Sequence, residues 1–284
     1  MIWLALSVAV SLALALVARW GETRRQDRIA VMAWNYAIAS VITGTLAWQS
    51  GVIVPTEFTW AVGTVAGLFY AIVLLLWMVA IPLTGLGVST TAMRLAVVWP
   101  SVVAIVFYGE VPQPLQWIGI AMAISSVGLL MLASLRASVG VQRAAISGSA
   151  VGLLVVLWLS SGINATLLKV FSAAGIPHQR PVFLALIFMV AGIVCWAVVA
   201  WRRQPLTRGD LGRGLIFGAL NVYSNVFLLR ALEDLPAVVV VPVRDAGIIA
   251  TVSLTGVLFL RERPGPWGYA AIAAATLAVV LTSL

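Results

Sequence analysis

The stretch that decides the fold is "FYGEVPQP", residues 107–114, because the chain writes it a second time as "FLRERPGP", residues 259–266. Each phrase closes a run of some twenty mostly apolar residues with a glutamate and two prolines. Phe107, Tyr108 and Phe259 suit a membrane interface, Glu110 and Glu262 stand at the exits of the runs, and the prolines stop one helix and pre-set the next. A glutamate just ahead of a helix also meets its positive N-terminal dipole. This reading makes the two glutamates structural; proton coupling is its alternative.

Working outward, the 284 residues are 62% hydrophobic and 9% charged, a composition foreign to a soluble domain. The apolar runs are each long enough to cross a bilayer. Cutting at charge clusters and Pro/Gly breaks gives ten spans, at 2–19, 30–48, 59–80, 86–108, 115–135, 148–169, 182–201, 213–231, 237–260 and 266–283. All should be helices, since lipid offers backbone groups no partners and the runs lack a barrel strand's alternation. The first is read as a retained span, since "ARWGETRRQDR" follows it instead of a cleavage site. Most of the 17 Lys and Arg behind the net charge of +8 lie between spans, with no aromatic-interleaved basic run to suggest nucleic acid. Cys195, alone in an apolar run, allows neither an intramolecular disulfide nor a cysteine-based zinc site, and is read as packing.

The echo extends along the whole chain. Ser11 matches Ser161, Arg19 Lys169, Arg94 Arg244 and Ser101 Thr251 at a shift of 150; Gly67 matches Gly218 and Ala80 Ala231 at 151; Glu110 matches Glu262, Pro112 Pro264 and Pro114 Pro266 at 152. The expected domains are therefore a first five-helix repeat at 1–136 and a second at 147–284. Because five is odd, the second copy enters the membrane from the opposite side. An inverted repeat of this kind supports alternating access around a site between the copies.

"GLGVSTTAMRLAVVWPSVVAIVFYGEVPQPLQWIGIAMAISSVGLLML", with its echo "LPAVVVVPVRDAGIIATVSLTGVLFLRERPGPWGYAAIAAATLAVVL", resembles the paired EamA-type domains of the drug/metabolite transporter superfamily. The resemblance rests on mid-span Pro100, the terminal Gly109-Glu110, a proline turn and a Gly-rich last helix. The second copy departs from it with Arg261-Glu262 and no proline matching Pro100. It implies ten helices in two inverted halves, a central cavity lined by spans 1, 3, 4, 6, 8 and 9, and transport of metabolites or drugs, often as export.

Several constellations could carry that function. Arg94 and Arg244 lie inside spans four and nine, where facing lipid would be costly. Thr90, Arg94 and Ser101 share one helical face, and Arg244, Thr251 and Thr255 share another. Each stripe could grip a carboxylate or phosphate with a guanidinium fork, or each arginine could pair with a protein carboxylate. Asp245, the only acid well inside a span, could take a substrate ammonium or a coupling proton, or neutralise Arg94 or Arg244. Asn221 and Asn225, with Asn164, Ser160 and Ser161, could orient a substrate or bond helices together. Trp99 and Trp158, near mid-span, could wall a cavity or pack; His178 reads as solvated, and Gly63 with Gly67 as a close helix contact.

The function expected is secondary transport of a small polar metabolite, an amino acid or other carboxylate-bearing solute, with export favoured, in a bacterial inner membrane. A channel or lipid scramblase is the alternative. An integral-membrane enzyme is disfavoured: Glu233-Asp234 is the one adjacent acidic pair, and GxSxG, HExxH and P-loop motifs are absent. No cofactor or metal is called for; the expected partners are substrate, bilayer and, if transport is coupled, a proton, with the protein a monomer or homodimer. Arg24, Arg25, Arg28, Arg202, Arg203 and Arg208 crowd the loops after odd-numbered spans, so the positive-inside rule places both termini outside, against the family's usual arrangement.

Overall fold

Helix fills the apolar runs and stops where proline, glycine or charge interrupts them. The computed structural model describes residues 1–22, 28–84, 86–139, 148–203, 206–260 and 265–283. Arg24, Arg25, Gln26, Gln204, Arg261, Glu262 and Pro264 lie outside the described residues. The α-helices are α1 (Ile2–Glu22), α2 (Arg28–Gln49), α3 (Glu57–Thr84), α4 (Leu86–Arg94), α5 (Val98–Tyr108), α6 (Pro114–Val139), α7 (Gly148–Ala173), α8 (Arg180–Arg202), α9 (Arg208–Asp234), α10 (Ala237–Leu260) and α11 (Pro266–Ser283). Among the described residues there is no strand. Among the described residues six helical stretches are long and apolar enough to cross a membrane, and 2–17, 114–129 and 266–281 are shorter apolar stretches. This is a multi-pass membrane protein.

Span four differs from the single helix its hydropathy suggests. A 3-10 turn at Leu95–Val97 separates α4 from α5. The cause is Pro100, which has no N–H to give the carbonyl of Ala96 and whose ring crowds that carbonyl. The equivalent span nine, α10, runs unbroken from Ala237 to Leu260 although Pro242 lies inside it.

The chain forms two compact units, each drawing on both halves of the sequence. The first comprises Met1, Ile72–Lys169 and Asp234–Leu284; the second comprises Ile2–Ala71 and Val170–Glu233. In the first unit α6 lies along α11, and α10 packs on α5, α6 and α11. Its core of Ala123, Val127, Ala246, Ile249, Ala250, Ala275 and Ala278 is mostly alanine. Small side chains let helices approach closely where lipid supplies no hydrophobic drive between them.

In the second unit α2 lies along α8, and two glycine pairs at matching repeat positions make the close approaches. A Cβ on Gly67 of α3 would meet the Ile187 carbonyl oxygen of α8 at 2.8 Å; a Cβ on Gly218 of α9 would meet the Asn35 carbonyl oxygen of α2 at 2.8 Å. Gly63 packs likewise on Leu186, and Gly214 on Trp34. Tyr36 and Phe188 stack with ring centroids 6.3 Å apart. The helix starts match as well. The Thr56 hydroxyl accepts from the Thr59 N–H at 3.2 Å, and the Thr207 hydroxyl accepts from the Asp210 N–H at 3.2 Å. Asp210 completes a capping box by accepting the Thr207 N–H at 2.9 Å.

Candidate functional site

The glutamate of the opening phrase has a built environment in the first unit. Gly109 ends α5 with φ of 63°, a left-handed turn that glycine adopts at little cost. The turn folds the chain back so that the Glu110 N–H donates to the Ala104 carbonyl at 3.1 Å. The Glu110 carboxylate then pairs with Lys169 near the end of α7, and its other oxygen accepts the Val238 N–H at the start of α10, at 3.0 Å. The Tyr108 ring lies 4.9 Å from the ammonium. One carboxylate therefore ties three helices, capping α10 while neutralising a buried lysine. Lys169 is visible in the sequence only as the echo of Arg19; no local pattern points from Glu110 to a lysine 59 residues away.

Arg94 is the last residue of α4. The backbone stays helical through the 3-10 turn that follows it, with φ of -73° at Arg94 and -62° at Val98. Its guanidinium faces Asp245 of α10, with Nη1 and Oδ1 3.7 Å apart and the two side chains 24% and 18% exposed. That is an ion pair without a close hydrogen bond, reachable by small polar species. Arg244 precedes Asp245 on α10 and is half-buried.

Three hydroxyls of the two stripes give their protons to carbonyls of their own helices. Ser101 Oγ donates to the Val97 carbonyl at 3.2 Å, Thr251 Oγ1 to the Gly247 carbonyl at 2.7 Å, and Thr255 Oγ1 to the Thr251 carbonyl at 2.7 Å. Thr90 accepts the Trp77 indole N–H at 3.1 Å. Trp99 packs its ring on Gly162 of α7, where a Cβ would fall 2.1 Å from Trp99 Cδ1, and lies 5.3 Å from the Trp158 ring. Two buried polar atoms in this unit, Trp99 Nε1 and Asn164 Oδ1, have no hydrogen-bond partner among the described residues. Ser161 back-bonds to Leu157 at 2.7 Å.

Asn221 and Asn225 belong to the second unit. Asn225 Nδ2 donates to Asn221 Oδ1 at 3.0 Å and lies 3.2 Å from the Tyr70 hydroxyl, while Asn221 Nδ2 donates to Asn35 Oδ1 at 3.4 Å. Their amides thus link α9 to α2 and α3, the helix-bonding role set beside substrate orientation above. Sequence reasoning does not reach Asn35 and Tyr70 by itself. The offset that pairs Gly67 with Gly218 also sets Tyr70 on Asn221, and is the one signal that points to it.

Comparison with known proteins agrees with this repeated architecture, because the model of the EamA-like transporter family matches residues 1–132 and again 148–284. The chain belongs to that family. That family places the chain among the membrane transporters of the drug/metabolite superfamily. An uncharacterized protein of Haemophilus influenzae is 23% identical over 199 residues, 69% of this chain and 66% of that protein's length. A solved crystal structure shares the fold with a TM-score of 0.72 at 14% identity, covering 99% of this chain and 94% of its own.

Proposed function

We propose that this EamA-family protein is a secondary carrier of a small zwitterionic or carboxylate-bearing metabolite, an amino acid above all. It would use ten crossing helices, two inverted repeats and alternating access. The observation that carries the reading is the Arg94–Asp245 pair, which joins span four of one repeat to span nine of the other at 3.7 Å while leaving both side chains partly exposed. A substrate carboxylate can engage the guanidinium fork that Asp245 faces without closely bonding, and its ammonium can take the Asp245 carboxylate. The charges then balance with and without cargo. Arg244, one residue from Asp245, offers a second cation to an anionic group in transit, and protonation of Asp245 is the coupling alternative. Trp99 Nε1 and Asn164 Oδ1 would gain partners from a polar ligand, which favours placing them at its edge. Export, the bacterial inner membrane and termini on the outer face complete the proposal.

The test begins with a ligand-stabilisation screen over amino acids, sugar phosphates, nucleotide sugars and cationic drugs, followed by counterflow in proteoliposomes. Counterflow distinguishes a carrier from a channel or scramblase. Arg94→Gln should weaken binding of the identified substrate by about thirty-fold to several-thousand-fold, the equivalent of about 2 to 5 kcal/mol for losing a charged partner. Arg94→Lys should recover only part of it, since the charge returns without the planar fork. Folded Arg94→Gln and Arg244→Gln proteins that both bind within about three-fold of the parent would sink the anion-gripping reading, on the scale where 1.4 kcal/mol is ten-fold.

A further inference from the structure

The second unit holds a cavity of about 450 Å³ that the transport reading does not use. It lies among the C-terminal end of α2, the start of α8 and one face of α9. On α9, Tyr223, Val226, Phe227 and Arg230 line it at helical spacing, while Asn221 and Asn225 point about 200° away from Tyr223. The cavity is therefore separate from the amide cluster.

Its wall is graded. Arg180 is the first residue of α8, Arg230 stands four residues before the end of α9, and exposed His178 sits in the turn between α7 and α8. These side chains make a basic rim where several helices end. Arg180 is held by Glu233. Arg230 lies over the Trp3 ring at 4.6 Å, and no described carboxylate is within 4.0 Å of it. A guanidinium stacked this way keeps its N–H edge directed outward. Trp3 in turn stacks on Phe227 at 5.8 Å. Seven residues back along α9, about 10 Å deeper at 1.5 Å per residue, the wall has become Tyr223 facing Leu46, 50% and 37% exposed.

We infer that this cavity is a binding site for an anionic phospholipid, its phosphate held at Arg230 and its acyl chain lying along Val226, Tyr223 and Leu46. A soluble anion would use the rim alone and leave the apolar wall wet, whereas a lipid matches both ends of the gradient. Basic pockets between membrane helices hold lipid headgroups on this principle. The leaflet is the one at the end where α1 begins.

The experiment is a thermal-stability series on the purified full-length protein in detergent, with added phosphatidylglycerol, phosphatidylcholine or soluble glycerol phosphate. Phosphatidylglycerol should raise the melting temperature by roughly 5 °C near saturation, and the other two by little. Arg230→Gln should lose most of that shift. Arg208→Gln, at the opposite end of α9, should keep it. Leu46→Trp, which fills the chain groove at an exposed position and spares the charges, should also lose it, and serves alone if Arg230→Gln does not fold. An equal response to phosphatidylcholine, or an undiminished shift in either groove variant, overturns the proposal. A full response to glycerol phosphate makes the site one for soluble anions and overturns it as well.

Discussion

The second unit keeps the symmetry of the repeat and the first unit departs from it. In the second, Gly63 and Gly67 press on α8 as Gly214 and Gly218 press on α2, and Thr56 and Thr207 cap matching helices. In the first, span four tightens into a 3-10 turn before Pro100 while span nine stays α-helical, and an ion pair joins them. Contacts that repeat belong to a scaffold that either copy could have built. The ones that differ are concentrated where charge enters the helices. In the alternating-access carrier proposed above, one part can be held alike in both copies, while an asymmetric ligand does not require the residues meeting it to match.

The largest expected effect tests a buried ion pair of the first unit. Glu110 and Lys169 have side chains only 14% and 8% exposed, and removing one member of such a pair costs about 3 to 5 kcal/mol because the other is left uncompensated. Glu110→Gln should therefore melt well below the parent in detergent, with substrate affinity unchanged in whatever protein remains folded. A loss of under about 1 kcal/mol would make this an ordinary surface pair and remove the reason for treating the glutamate as structural.

An intermediate effect tests the symmetric unit directly. Gly67→Ala and Gly218→Ala each place a Cβ 2.8 Å from a backbone carbonyl oxygen, and overpacking of this kind costs about 1 to 3 kcal/mol. Backbone yields less readily than a side-chain tip, so the two losses should be of similar size. Unequal losses, with one glycine tolerant and the other not, would show that the copies have diverged in the scaffold too.

Much of this architecture is legible in the residues themselves. The Glu-Pro echo locates the repeat, the charge clusters locate the helices, and Gly63 with Gly67 marks a close contact that the fold contains. Gly214 and Gly218 carry the same spacing, and the match of Gly67 to Gly218 is what points at them. The 3-10 turn at Leu95–Val97 is not legible, because a proline acts on a carbonyl four residues earlier and hydropathy is blind to it. The partner of Glu110 is hidden for a different reason. Which helices meet in lipid depends on small-residue fit, and hydropathy marks helix limits far more directly than helix neighbours. The Arg94–Asp245 pair is among the alternatives the residues leave open; the geometry favours it through a single distance.

The smallest expected effect concerns the hydroxyls that follow the arginines by seven residues. Ser101 and Thr251 occupy equivalent positions, and each gives its proton to a carbonyl one turn earlier, at 3.2 and 2.7 Å. That bond competes with the helix's own ladder and can bend it, so its net worth is small. Ser101→Ala removes an oxygen beside the 3-10 turn in span four, and Thr251→Val removes one from an unbroken α-helix. Each should change stability by less than about 1 kcal/mol, the range of a typical net hydrogen bond. If the hydroxyls only back-bond, substrate affinity should hold within about three-fold in both. If one also reaches the substrate, its loss should cost about ten-fold, near 1.4 kcal/mol, and a loss at one position alone would say which copy of the repeat carries the contact. Measuring substrate-induced stabilisation of the two variants side by side therefore asks, with the least disruptive changes available, whether the asymmetry of the first unit extends from its backbone to its binding groups.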